Sequence, residues 1–262
     1  IALADRLGDD QTAWWAHLDA ARILTVTGAV EGAQQHAAAA LELAERLRGR
    51  YQLSFSFRWN APLLRQQGHW LGAREFSDRG LAVAPQDVNL LCDRVLLEYQ
   101  IGDFGQGEAY LERFLATIPP AAARPGIQYA LPAATIPLVA RITGALDRLD
   151  IAAAAARAVT SSPFANPLYV LFSRVGLGLL AVLRGDIVAS GAQYSLMEHR
   201  RGIMFISGHS TDRLLGLLSH TMGNLDKAAE HFEDARAFCR KAGYRPELAW
   251  SCCDYADCLL AR

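Results

Sequence analysis

Apolar positions along the chain recur at helical spacing almost from the first residue, and the segments between them are short and polar. Within that helical pattern a longer period stands out. Gly68 is followed by Trp70, Ala73 and Pro85. Thirty-four residues on, Gly102 is followed by Phe104, Gly107 and Pro119 at the same offsets. Thirty-four residues is the period of a tetratricopeptide unit, a pair of antiparallel helices joined by a tight turn. The clearest further copy runs from Gly223 to Ala235, with Ala228 as the small contact and Phe232 and Ala235 on the packing face. Fainter copies turn at Gly28, Gly144 and Gly185.

The turn glycines are therefore Gly28, Gly68, Gly102, Gly144, Gly185 and Gly223, with separations of 40, 34, 42, 41 and 38 residues. Glycine at each turn can take positive φ and so end one helix and reverse the chain. Small residues on the facing sides let the two helices approach. The pattern predicts an all-α, tetratricopeptide-like antiparallel helix-pair superhelix (an α-solenoid): six pairs plus a trailing helix that starts at Arg245-Pro246-Glu247. Residues 1–262 read as one continuous domain. Pro62 and Pro137 fall inside first helices, where proline removes a hydrogen bond. Pro119 to Pro137 predicts a longer loop, and Ser161 to Pro167 a break. The chain starts at Ile1, and its last helix has no partner, so it reads as a fragment of something longer.

Composition narrows the function. A hydrophobic content of 52% with 20% charge fits a folded protein. The net charge of −1 offers no field for nucleic acid or anionic membrane. No run is expected to span a bilayer: the best, Tyr169 to Leu183, is short and carries Arg174. The five cysteines lack paired ligand spacing and suggest reduced thiols in a cytoplasmic protein. Cys252, Cys253 and Cys258 cluster, but adjacent cysteines on a helix diverge by about 100°, so buried structural thiols are expected and no metal.

Catalytic patterns are absent. There is no phosphate-binding loop, dinucleotide fingerprint or H-E-x-x-H helix. Gly208 to Asp212 lacks the closing glycine of a nucleophile elbow and reads as a helix start capped by Ser210 or Thr211. The histidines His199, His209 and His220 could share a site, but surface or capping roles fit them better, and His199-Arg200-Arg201 reads as a solvated loop or a salt-bridge partner. No catalytic residue and no cofactor are expected.

A binding role places its residues on the first helices, which line the concave groove of such arrays. Counting fourteen residues back from each turn glycine, positions two, five, nine and twelve face inward. They select Phe55, Arg58, Pro62 and Arg65; Asn89, Cys92, Leu96 and Tyr99; Arg141; and Ser210, Arg213, Leu217 and His220. For the trailing helix the register suggests Trp250, Cys253, Asp257 and Leu260. Arginines Arg58, Arg65, Arg141 and Arg213, with Tyr99 and Trp250, then suit a carboxylate-bearing ligand, because arginine presents a planar donor fork. The plainer reading leaves them solvated or paired with local carboxylates.

The segments Arg213 to Leu218, Gly223 to Phe232, Ala242 to Trp250 and Asp254 to Ala256 carry a more specific resemblance. They resemble the repeat region of large bacterial regulators in which a signal-transduction ATPase domain precedes a tetratricopeptide-like array. Some of these end in a LuxR-type helix-turn-helix, as in the MalT-like activators; others carry an adenylate or guanylate cyclase domain. The resemblance implies a cytoplasmic sensor array that takes a small inducer or a protein segment in its groove. It also implies attached ATPase and output domains, and self-association as one way to respond. A stand-alone adaptor between proteins is the other reading.

Overall fold

The computed structural model describes residues 1–119, 125–205 and 207–262. Among them there is no strand, and the chain is all-α. The helices are α1 (Ala2–Leu7), α2 (Asp10–Thr27), α3 (Val30–Leu47), α4 (Arg50–Gln66), α5 (Trp70–Val83), α6 (Val88–Ile101) and α7 (Phe104–Leu115). They continue as α8 (Ile127–Thr143), α9 (Leu149–Thr160), α10 (Pro167–Arg184), α11 (Ile187–Met197), α12 (Thr211–Thr221), α13 (Leu225–Ala242) and α14 (Arg245–Ala261). A short 3-10 turn, Glu198–Arg200, follows α11.

All six expected turn glycines have positive φ, from 62° at Gly185 to 85° at Gly102, and each sits where one helix ends and its partner begins. The pairs α2–α3, α4–α5, α6–α7, α8–α9, α10–α11 and α12–α13 pack face to face, and α14 packs on α13. Side-chain caps sharpen several starts: Asp103 accepts from the Gln106 N–H, Asp186 from Ala189 and Ser210 from Arg213. Ala33, Ala37 and Ala40 are fully buried on α3, where their size lets it lie close to α2.

The alternate helices form a second set of contacts: α2 with α4, α4 with α6, α6 with α8, α8 with α10, α10 with α12 and α12 with α14. At the α8–α10 contact Gly176 is required, because a Cβ there would lie 2.1 Å from the Ala133 carbonyl oxygen. The two ends of the chain also meet. The Tyr244 hydroxyl donates to the Thr25 carbonyl at 2.5 Å, the Met204 N–H donates to the Val26 carbonyl at 2.9 Å, and α14 touches α4.

Several expectations need correction. The helix α1 precedes the six pairs and was not expected as a separate element. Part of the loop expected from Pro119 to Pro137 falls on residues 120–124, outside the described residues; beyond them, α8 takes in Pro132, which was expected in the loop, as well as Pro137, which was expected inside a helix. Pro62 lies within α4 as expected, and the break from Ser161 to Pro167 separates α9 from α10. The helix α10 is long and apolar enough to cross a membrane by length and composition, which the sequence reading did not expect; 44% of it is buried against other helices. Cys258 is buried, but Cys252 and Cys253 are exposed, because α14 turns Ser251, Asp254 and Cys258 inward and those two outward.

Candidate functional site

The helix α4 places Phe55, Arg58, Pro62 and Arg65 along one side, at the three- and four-residue spacing that stacks side chains on a helix face. The helix α6 does the same with Asn89, Cys92, Asp93 and Leu96. These two faces, closed by Leu131 of α8 and by Leu168, Tyr169 and Phe172 of α10, enclose a cavity of about 200 Å³. Most of its wall is apolar, which is usual for a small-molecule site with a few placed polar groups.

Those polar groups are held by this chain's own charges. Arg58 is 25% exposed; its Nε donates to Asp87 Oδ2 at 2.6 Å, and its guanidinium lies 4.4 Å from the centre of the Phe55 ring. Asp87 also caps α6 by accepting from the N–H groups of Asn89 and Leu90. Arg65 is 1% exposed, and its Nε donates to Asp93 Oδ1 at 2.6 Å. The other carboxylate oxygen, Asp93 Oδ2, is buried without a hydrogen-bond partner. Burial pushes the Asp93 carboxyl above its ordinary value, against the pull of Arg65 and Arg94. Burial likewise pushes the Cys92 thiol up to about 12. Cys92 therefore stays protonated at neutral pH and is not a nucleophile there.

A second constellation lies beyond the cavity. Arg213 on α12 donates from Nε to Asp254 Oδ2 at 2.6 Å and from Nη1 to Glu247 Oε2 at 2.8 Å. Arg141 on α8 donates to Asp254 Oδ1 at 2.6 Å, and the Ser210 N–H donates to Glu247 Oε1 at 2.6 Å. Trp250 lies under Arg213, 5.3 Å from guanidinium carbon to ring centre. Residues 203–205 and 207–211 pair with each other between the two groups, with the Phe205 N–H on the His209 carbonyl and the Thr211 N–H on the Ile203 carbonyl. Gly208 meets Arg65 so closely that a Cβ would lie 2.7 Å from Nη1. His209 is buried and stacks on Phe205, and burial pushes its pKa down to about 3.

Thus Arg58, Arg65 and Asn89 meet at the cavity, while Arg141, Arg213 and Trp250 gather around Asp254. The four arginines pair with carboxylates of the same chain, Asp87, Asp93, Glu247 and Asp254, and these partners are distant in sequence rather than local. Tyr99 stands apart, donating to Glu108 at 2.9 Å beside Arg148. His220 is half-buried in the last turn of α12, and Asp257 is exposed on α14. Sequence reasoning missed Asp93, Glu247 and Asp254; Glu247 and Asp254, seven apart on a helix, were the available signal. Cys252, Cys253 and Cys258 do not gather around a common point among the described residues, nor do His199, His209 and His220. Compared with known proteins, the chain matches no family model and no curated protein.

Proposed function

We propose that the chain is a tetratricopeptide-like array serving as the non-catalytic sensor module of a cytoplasmic bacterial transcriptional regulator of the LuxR/MalT-like kind. Six glycine-closed helix pairs and the ordered contacts between alternate helices support the array. Its ligand is a small inducer rather than a protein segment, because the inner side chains are covered: Arg65 and Arg213 are nearly fully buried. One observation carries the binding reading. The cavity beside α4 and α6 is largely apolar and is lined by Asp93, whose second carboxylate oxygen, Oδ2, is buried beside it without a hydrogen-bond partner. A compact, mostly apolar molecule with one N–H or O–H donor satisfies both features. Seated there, it touches α4, α6, α8 and α10 together, and so can alter their spacing and thereby the attached output domain.

Saturation-transfer NMR with phenol and benzylamine as probes tests the site. Transfer is expected to the parent chain and not to Leu168→Trp, whose indole fills the cavity rim from a position that is 43% exposed. The circular dichroism of the two should agree. No transfer to the parent, or equal transfer to both, removes the cavity as a binding site. The gene sequence on either side of this segment then tells a regulator from an adaptor.

A further inference from the structure

Asp212, in the first turn of α12, lies opposite His231 and Asp234, which are three apart and share a face of α13. One ligand atom from each of the three lies within 4.8 Å of the others. Asp212 and His231 are 2% and 1% exposed, and both keep unspent lone pairs. The Tyr194 hydroxyl, 2.9 Å from His231 Nε2, orients the ring, whereas Nδ1 has no hydrogen-bond partner. Asp212 Oδ2 accepts from the Gly202 N–H at 2.7 Å, whereas Oδ1 has no hydrogen bond and faces only Arg201 Nε at 3.5 Å. Arg201 is 44% exposed and also pairs with Asp234 and Glu230. A surface guanidinium is thus the cation attending a buried imidazole and two carboxylates.

We propose that Asp212, His231 and Asp234 form a site for a divalent transition metal, Zn²⁺, in the place the Arg201 guanidinium fills. One imidazole nitrogen and two carboxylate oxygens suit Zn²⁺ better than Ca²⁺ or Mg²⁺, which take oxygen sets. A ring held through its second nitrogen, as Tyr194 holds His231, is the usual outer partner of a histidine ligand. Coordination needs bonds of about 2.0–2.2 Å, so Asp234 swings inward as Arg201 swings out. Both are on the surface, so the exchange breaks only the exposed ion pair between them and the contacts of Arg201 to Glu230 and Asp212. The bound ion would tie the N-terminus of α12 to α13. This departs from the sequence reading, which expected no metal.

Isothermal titration of Zn²⁺ into a Cys252→Ser/Cys253→Ser chain tests the site, the exposed thiols being removed because they would take the ion themselves. One ion per chain is expected. Asp234→Asn, an exposed change, should weaken binding at least about tenfold, the scale at which even outer partners of a ligand count. Arg201→Ala should tighten it. No uptake by the parent, or unchanged affinity in Asp234→Asn, overturns the site; no tightening in Arg201→Ala overturns the exchange of cations.

Discussion

Arg213→Met is the sharpest test of the buried charge cluster. Methionine fills most of the arginine's volume but leaves Glu247 with only the Ser210 N–H, and leaves Asp254 to Arg141 alone. Removing one member of a buried ion pair costs about 3–5 kcal/mol, since the partner is left charged in a poor solvent. The surviving Arg141–Asp254 contact places this case near the lower end, at about 3 kcal/mol. For a chain of this size that corresponds to a fall in Tm of roughly 6–12 °C. The loss depends on pH. Burial already raises the Glu247 carboxyl above its ordinary value, with Arg213 the main opposing influence, so removing Arg213 raises it further. A carboxyl whose pKa is higher folded than unfolded binds more protons in the folded state between the two values. Stability therefore increases as pH falls through the folded pKa toward the unfolded one. Urea unfolding followed by circular dichroism, at about pH 7.5 and again at about pH 5, should show the variant's deficit shrinking toward acid. A deficit under about 1 kcal/mol, or one that is constant or grows toward acid, refutes the reasoning.

Gly176→Ala puts a Cβ 2.1 Å from the Ala133 carbonyl oxygen and should cost about 1–3 kcal/mol or more in urea unfolding. Gly185→Ala meets open space at φ 62° and should cost about 1–2 kcal/mol for the left-handed backbone alone. A larger loss at Gly185 would contradict the close approach of α8 and α10. Burial holds the His209 pKa down to about 3, so between there and its ordinary value only the unfolded chain binds the proton. Its contribution to stability is therefore lost as pH falls from about 6.5 to about 3. The stability difference between the parent and His209→Gln should fall over that window, and a flat difference would refute it.

Much of the fold is legible in the glycines. Gly28, Gly68, Gly102, Gly185 and Gly223 announce themselves because each is followed by an apolar residue two on and a small one five on; Gly144 keeps only the apolar residue, and all six take the positive φ that such a turn needs. The helix α1 was not legible, since the glycine that closes it, Gly8, is followed two residues on by Asp10 rather than by an apolar residue. The α8 prolines misled in part: Pro137 reads as a helix proline and is one, but Pro132 falls in the expected loop and yet lies inside the same helix, whose Tyr129–Ala140 stretch is buried throughout. Tertiary packing there outweighs the cost of proline within a helix.

The site was half legible, and the missing half has a specific cause. Counting from turn glycines turned Arg58, Arg65 and Arg213 inward, but the trailing helix has no following glycine to count from. Its assigned face, Trp250, Cys253 and Asp257, lies one residue from the buried Ser251, Asp254 and Cys258. One residue is about 100° of rotation, enough to exchange Asp254 for Asp257. Asp93 was hidden differently: α6 is buried continuously from Leu90 to Tyr99, so no solvent face marks which side its carboxylate takes. The remaining contacts are outside the reach of any repeat pattern. A repeat describes a unit and its neighbours, whereas Arg141 reaches Asp254 across 113 residues and Tyr244 reaches Thr25 across 219. The first needs the middle of the chain to meet its last helix and the second needs its two end regions to meet, and no local periodicity encodes either meeting.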